Sequence, residues 1–168
     1  MQFEDEILIP KQRVAALIGP KGAIKSKIEE LGNVKLAVKD NLVEIKGKDA
    51  LEVMLAKNVV DAIGRGFTPE SAKLLFKEEY SYTKLSLPDY GHKKSSHLER
   101  IKGVVIGKEG KAKRLIERET GTEIAVQGKT IAIIGPYEGV EKARQAVEML
   151  LTGRKHATAF RFLEVKKD

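Results

Sequence analysis

Leu17-Ile18-Gly19-Pro20-Lys21-Gly22 returns as Val105-Ile106-Gly107-Lys108-Glu109-Gly110, displaced by 88 residues. The residues that follow keep the same spacing. Ile28-Glu29 becomes Ile116-Glu117, Leu36 becomes Ile124, Val38 becomes Val126, and Val43, Ile45 and Gly47 become Ile131, Ile133 and Gly135. A spacing held over about thirty positions is an internal repeat, and its period is long enough for each copy to be a small domain. One Gly-x-x-Gly means little in a chain with 15 glycines; two in register, with matching apolar flanks, carry the reading.

Working outward from the first copy, Phe3, Ile7 and Ile9 predict a strand that Pro10 ends. Val14, Leu17 and Ile18 fall at i, i+3 and i+4, a short helix running into Gly19. Beyond the turn, Ile24, Ile28 and Leu31 stripe a second helix, with Gly32 as its C′ stop. Val34, Leu36 and Val38 alternate, Asp40-Asn41 turns, and Val43 and Ile45 alternate back as a hairpin. Gly47-Lys48-Asp49 then opens a helix with Leu51, Leu55, Val59 and Ala62 on one side, ending at Gly64-Arg65-Gly66. Around the second copy, Tyr82 to Pro88 predicts a strand, and Ser95 or Ser96 caps a helix striped by Leu98, Ile101, Val105 and Ile106. Ala112, Leu115 and Ile116 stripe its partner. Ile124 and Val126 pair with Ile131 and Ile133 across Gly128-Lys129, and a helix from Gly139 to Leu151 turns Val140, Ala143, Ala146, Val147 and Leu150 inward. Between the repeats, Thr68-Pro69-Glu70 reads as an N-cap, a proline at N1 and a first-turn acid. Leu74, Leu75 and Phe76 make that linker apolar, so it packs against something and the two repeats are expected to dock. Ala157 to Val165 predicts a last helix with a basic end. The expected division is 1–64, a helical linker at 65–80, 81–152, and a helical extension at 153–168.

The 168 residues and 42% apolar content suit two small domains with cores near the lower limit for independent stability. No apolar run reaches the length of a membrane span. The acidic start, Met1-Gln2-Phe3-Glu4-Asp5-Glu6, is unlike a signal peptide, and a cytoplasmic location is expected. With no cysteine there is no disulfide, no Cys-ligated metal and no thiol nucleophile. Charged residues at 33%, against seven Asn and Gln together, lean towards heat adaptation. The net charge of +7 is uneven: residues 1–66 hold 11 basic and 10 acidic groups, and 67–168 hold 20 and 14. Residues 93–118, which flank the second glycine turn, carry nine basic groups against three acidic. Such a concentration marks a polyanion partner, although a solvated charged face would look the same.

Two helices joined by Gly-x-x-Gly bring backbone close to whatever lies beside the turn, and glycine permits both the approach and a positive φ. The second helix aims free N–H groups and partial positive charge at the turn, which favours phosphate. Lys21 and Lys108 sit within the turns. Catalysis finds no footing: His92, His97 and His156 are isolated, and no carboxylate constellation surrounds them. Gly103 to Lys108 approximates a P-loop but has three residues between its glycines where four are needed, then Glu109 in place of Ser or Thr. The expected protein is a binder, with no catalytic residues, no metal and no cofactor.

An apolar pair, Gly-x-x-Gly and a basic helix carrying Ile resemble the KH domain, and both copies show the whole pattern. The order strand, helix, glycine turn, helix, strand, strand, helix is that of type I. The resemblance implies an α+β fold of two type I KH domains (β-α-α-β-β-α), each a three-stranded antiparallel sheet on three helices, joined by a short helical linker. It also implies a groove for about four nucleotides of single-stranded RNA beside each turn. Gly19, Pro20, Lys21 and Gly22 would clamp backbone in the first copy, with Ile18, Ile24 and Leu36 lining the groove. In the second, Gly107, Lys108, Glu109 and Gly110 would clamp, and Ile106, Lys111, Arg114, Ile124 and Ala125 would touch sugars and bases. For most of the isoleucines, plain core packing is the stronger reading. Pro20 removes one N–H from the first turn, and the net charge is +6 over 93–118 against +3 over 11–30. The second copy is therefore expected to be the main RNA site, with the first a weaker site or a protein contact.

Gly64-Arg65-Gly66-Phe67 with its Pro-Glu helix, Arg100 through Lys111, and Gly128 through Gly135 resemble the tandem-KH pre-ribosomal RNA processing factors of archaea and eukaryotes. The resemblance covers nearly the whole chain and is most specific in the second half. It implies binding near the 3′ end of small-subunit rRNA, with the processing endonuclease, the rRNA dimethylase, or translation and ribosomal proteins as partners, and no membrane. The absence of eukaryotic extensions looks archaeal. The competing expectations are a KH-based protein scaffold and an RNA-decay accessory subunit.

Overall fold

A computed structural model describes residues 1–164. The chain divides into two compact units, Met1–Tyr80 and the remainder from Ser81 onward. Among the described residues no helix is long and apolar enough to cross a membrane.

The first unit runs β1 (Phe3–Leu8), α1 (Val14–Ile18), α2 (Ala23–Gly32), β2 (Val34–Lys39), β3 (Leu42–Gly47) and α3 (Ala50–Gly64). It closes with α4 (Pro69–Lys73), which continues into a 3₁₀ turn at Leu74–Phe76. The sheet order β1-β3-β2 is antiparallel throughout, with Leu36 opposite Ile45 and Val38 opposite Val43. Alternation therefore sends Val34, Leu36, Val43 and Ile45 to one face, where they are buried with Leu17 and Ile28. Asp49 caps α3 by accepting from the Leu51 and Glu52 amides at 2.8 and 3.2 Å. At the other end of α3, Arg13 donates through Nε to the Ile63 carbonyl at 2.7 Å and through Nη2 to the Phe67 carbonyl at 2.9 Å. Those bonds tie Arg13, at the entry to α1, to the end of α3 and the turn after it.

Three expectations need correction here. Val59 and Ala62 are buried as their spacing predicts, but Leu51 is 58% exposed, and Val53, Ala56, Val60 and Ile63 also point inward. The back half of α3 is apolar on nearly every side because α4 and the Leu74–Phe76 turn pack on it in addition to the sheet, which blurs the periodicity. That packing also supplies the apolar linker with its partner. Gly32 does not stop α2. It is helical and lets the Phe76 ring lie 2.8 Å from where a Cβ would stand, while Asn33 takes the left-handed C-cap at φ 55°. Neither Ser95 nor Ser96 caps the helix that follows the basic loop; it starts at Ser95 with Lys94 in the cap position and no side-chain cap.

The second unit repeats the plan with β4 (Tyr80–Ser86), α5 (Ser95–Ile106), α6 (Lys111–Thr120), β5 (Glu123–Gln127), β6 (Thr130–Pro136) and α7 (Tyr137–Leu151). Its sheet order is β4-β6-β5, with Ile124 opposite Ile133 and Val126 opposite Ile131. The core joins Leu85, Leu87, Ile116, Ile131, Ile133 and Leu150. All five predicted inward residues of α7 are buried. Gly139 lets α7 lie on α6, since a Cβ there would stand 2.1 Å from the Thr120 carbonyl oxygen. The last helix, α8 (His156–Glu164), follows α7 as α4 follows α3 but is nine residues long against five, and it packs on α6 and α7 through Ala159 and Leu163. The expected end at Val165 and the basic residues Lys166 and Lys167 lie outside the described residues.

Candidate nucleic-acid interface

The two glycine turns have the same backbone. Gly19 and Gly107 stand at φ 72° and 78° with ψ near extended, Lys21 and Glu109 at φ 54° and 56°, and Gly22 and Gly110 at φ 75° and 77°. The reason for each first glycine is internal. A Cβ on Gly19 would lie 2.3 Å from Ile24 Cγ1, and one on Gly107 would lie 2.6 Å from the Ala112 Cβ. The helix after the turn thus closes against the first glycine. A Cβ on Gly22 would meet open space, so the positive φ alone holds glycine there. Pro20, Lys21, Lys108 and Glu109 line these turns at the surface, available to a ligand.

A second repeated device lies between helix and strand. The Leu36 amide donates to Glu29 Oε2 at 2.8 Å, and the Ile124 amide donates to Glu117 Oε2 at the same distance. β2 and β5 are the edges of their sheets, so each carboxylate occupies an N–H on an open strand edge. A lysine one turn earlier accompanies each glutamate, Lys25 with Glu29 at 3.6 Å and Lys113 with Glu117 at 3.4 Å. The side chains of Leu36 and Ile124 are buried in the cores at 5% and 4% exposure, which leaves their backbone on the strand edge. Ile18, Ile24, Ile106 and Ala125 are half-buried at the groove margin. Motif reading alone misses Glu29 and Glu117 as site residues, although their repetition in register is a signal that could find them.

With 100° per residue, Lys111, Leu115 and Arg118 stand about 120–180° from the mean direction of Lys113 and Glu117, on the side of α6 away from β5, and Arg114 stands about 80° from it, on the flank. Arg114 Nη2 donates to the Glu109 carbonyl at 2.7 Å and lies over Gly110, tying the helix back to its own turn. Among the described residues, none forms an ion pair with Lys108, Lys111 or Arg118.

The histidines are structural or exposed. His92 Nε2–H donates to the Leu151 carbonyl at the end of α7, and His156 Nε2–H donates to the Val104 carbonyl near the end of α5, both at 2.7 Å. Since a carbonyl only accepts, Nε2 carries the hydrogen in each. His97 is exposed. Among the described residues, no His, Cys, Asp and Glu cluster could hold a metal ion.

Comparison with known proteins places this geometry. Residues 85–168 match the second KH domain of PNO1, described as Eukaryotic type KH-domain (KH-domain type I), and residues 4–62 match the KH domain. A KH domain-containing protein of Methanocaldococcus jannaschii is 48% identical over 165 residues, spanning 95% of this chain and 72% of that protein. RNA-binding protein pno-1 of Caenorhabditis elegans is 31% identical over 133 residues, spanning 75% of this chain; the chain accounts for 48% of that relative's length. Among solved structures, Dim2p from Pyrococcus horikoshii OT3 superposes with a TM-score of 0.88 at 37% identity, covering 96% of this chain and 98% of that one. The complex of a/eIF2alpha, aDim2p and rRNA from the same organism gives a TM-score of 0.89 at 37% identity, covering 97% and 93%.

Proposed function

The chain belongs to the KH-domain family of PNO1 and Dim2 pre-rRNA-processing proteins, and from that premise we propose that it binds single-stranded RNA near the 3′ end of small-subunit pre-rRNA. There it positions the strand and recruits the enzymes that process it. The protein itself is not an enzyme in this reading; the chemistry belongs to its partners. One observation carries the assignment: the Gly107–Gly110 turn combines the clamp backbone with Lys108 at its surface and with Lys111 and Arg118, which no described carboxylate pairs. A clamp that presents backbone amides and unpaired cations recognises phosphate, and the adjacent edge strand can read bases.

The proposed partners follow from the same family. A solved relative stands in a complex with a translation initiation factor subunit and rRNA, and a corresponding contact by this chain is part of the proposal, with the processing endonuclease and the rRNA dimethylase as further partners. The first unit takes the role of protein contact. Its exposed Leu8, Leu31, Leu51 and Met54 favour that role, and Pro20 leaves its turn one donor short.

The test is a titration of labelled RNA from the 3′ end of small-subunit rRNA, with a scrambled control, at two salt concentrations. Lys108→Asp with Glu109→Asp is expected to weaken binding by about 100-fold, because a charge-assisted hydrogen bond to phosphate is removed and like-charge repulsion replaces it. Pro20→Asp with Lys21→Asp is expected to keep most of the affinity. Equal binding by all three proteins would move the RNA off the glycine turns and leave the scaffold reading in its place.

A further inference from the structure

On the side of α6 turned away from β5, a cavity of about 480 Å³ opens between α6 and α8. It starts at the turn itself, with Gly107 and Lys108 in its wall, and continues past Lys111 and Leu115 to Arg118, His156 and Phe160. We propose that this cavity is a second RNA subsite, which takes a nucleotide of the strand that has crossed the Gly107–Gly110 turn on leaving the groove. The proposal rests on the assignment of the second unit as an RNA reader.

Three features select a nucleotide. The cations on this face, Lys108, Lys111 and Arg118, have no ion-pair partner among the described residues, whereas Lys113 on the groove side is paired with Glu117. Their charge is therefore directed to the cavity and is not neutralised within the protein. The floor is apolar, supplied by Ala112 and Leu115. At its far wall the His156 and Phe160 rings are already stacked, with centroids 5.7 Å apart and planes at 13°. The bond from His156 to the Val104 carbonyl fixes the imidazole, so the stack is ordered before any ligand arrives and little freedom disappears when a base extends it. An aromatic platform beside unpaired cations is how single-stranded nucleic acid is held without a base-pairing partner. An acidic peptide would satisfy the cations but has no use for the stacked rings, and continuity with the phosphate clamp favours the same RNA strand.

The test uses the full chain and a nested set of RNAs: the four-nucleotide core and versions extended by one or two nucleotides at either end. The variants are Phe160→Leu, which keeps apolar bulk while removing the ring face, and Arg118→Gln. For the unaltered protein, extension at one end raises affinity by about 10-fold, the scale of one base–aromatic stack. Phe160→Leu binds the core as well as the unaltered protein and lacks that gain; Arg118→Gln, which also removes a cation of the clamp, binds the core more weakly and lacks the gain too. 2-Aminopurine placed at the added position is quenched by the unaltered protein and recovers in Phe160→Leu. If the core binds but extension adds nothing, or adds as much in both variants, the subsite is refuted and the groove assignment stands. If neither core nor extended RNA binds, both fall together. If only an acidic peptide responds to Phe160→Leu and Arg118→Gln, the cavity is a protein site and the proposal is overturned.

Discussion

The two units share a turn backbone to within a few degrees and differ in what surrounds it. Position for position, Lys108, Lys111, Arg114 and Arg118 in the second unit correspond to Pro20, Ala23, Ser26 and Glu30 in the first. Four cations are replaced by none, with an acid at the last place. The helix that follows also differs: α8 has nine residues where α4, its positional counterpart, has five. Backbone geometry thus follows the glycines and the helix closing on them, and ligand chemistry follows the outward residues of one helix. A Gly-x-x-Gly turn is a fold device first; in the proposed reading, the cations around the second one make it a phosphate site.

The widest break in this comparison comes from giving the second unit the first unit's outward residues. Lys108→Pro, Lys111→Ala, Arg114→Ser and Arg118→Glu together should weaken RNA binding by about 100-fold or more, on the order of two charge-assisted hydrogen bonds. The slope of log affinity on log salt should flatten by about 0.7 for each phosphate contact removed from a single strand. A slope that does not change would show that these cations never reach the RNA. The reverse exchange should do less. Pro20→Lys, Ala23→Lys, Ser26→Arg and Glu30→Arg, in a protein silenced by Lys108→Asp and Glu109→Asp, should restore about 10-fold in affinity, as read by the same titration. No gain would mean that α8, rather than charge, separates the two units.

Smaller effects test what the units share. Gly19→Ala and Gly107→Ala should each destabilise by about 1–3 kcal/mol, because the added Cβ meets the next helix in addition to the positive φ. Gly22→Ala, with open space around it, should cost only about 1 kcal/mol. Thermal unfolding distinguishes them, and equal effects would remove the internal reason given for the first glycine. Least of all, Asn33→Gly should stabilise and Gly121→Asn should destabilise, each by about 0.5 kcal/mol, since both positions are left-handed helix caps. Chemical denaturation reads that exchange, and a shift of the same sign in both would break it.

Much of the fold is legible in the chain because the repeat can be read twice. The succession of elements, the hairpins and the inward residues of α7 follow from periodicity and the doubled glycine turn, and the type I topology from the resemblance they carry. The departures have physical sources. Gly32 reads as a helix stop because glycine commonly is one, yet its lack of a side chain serves the Phe76 ring, a partner 44 residues away. Leu51 reads as inward because α3 is apolar on most of its circumference. Resemblance assigns Lys111 and Arg114 to contacts with sugars and bases; the helical phase turns Lys111 away from Glu117 and leaves Arg114 on the adjoining flank, which the motif alone does not show. His156 and Phe160 carry no local signal; their place beside the turn depends on α8 folding back over α6.

The carboxylates of Glu29 and Glu117 give the protein a way to exist without RNA. An edge strand with bare amides is a template on which another chain can add itself as a further strand. Here each edge carries an internal stopper at the amide of Leu36 or Ile124, supplied by the neighbouring helix and steadied by a lysine. A strand laid against either edge finds that donor already taken. Any pairing at that one amide, by a strand or by a base, must first displace a carboxylate that already holds it.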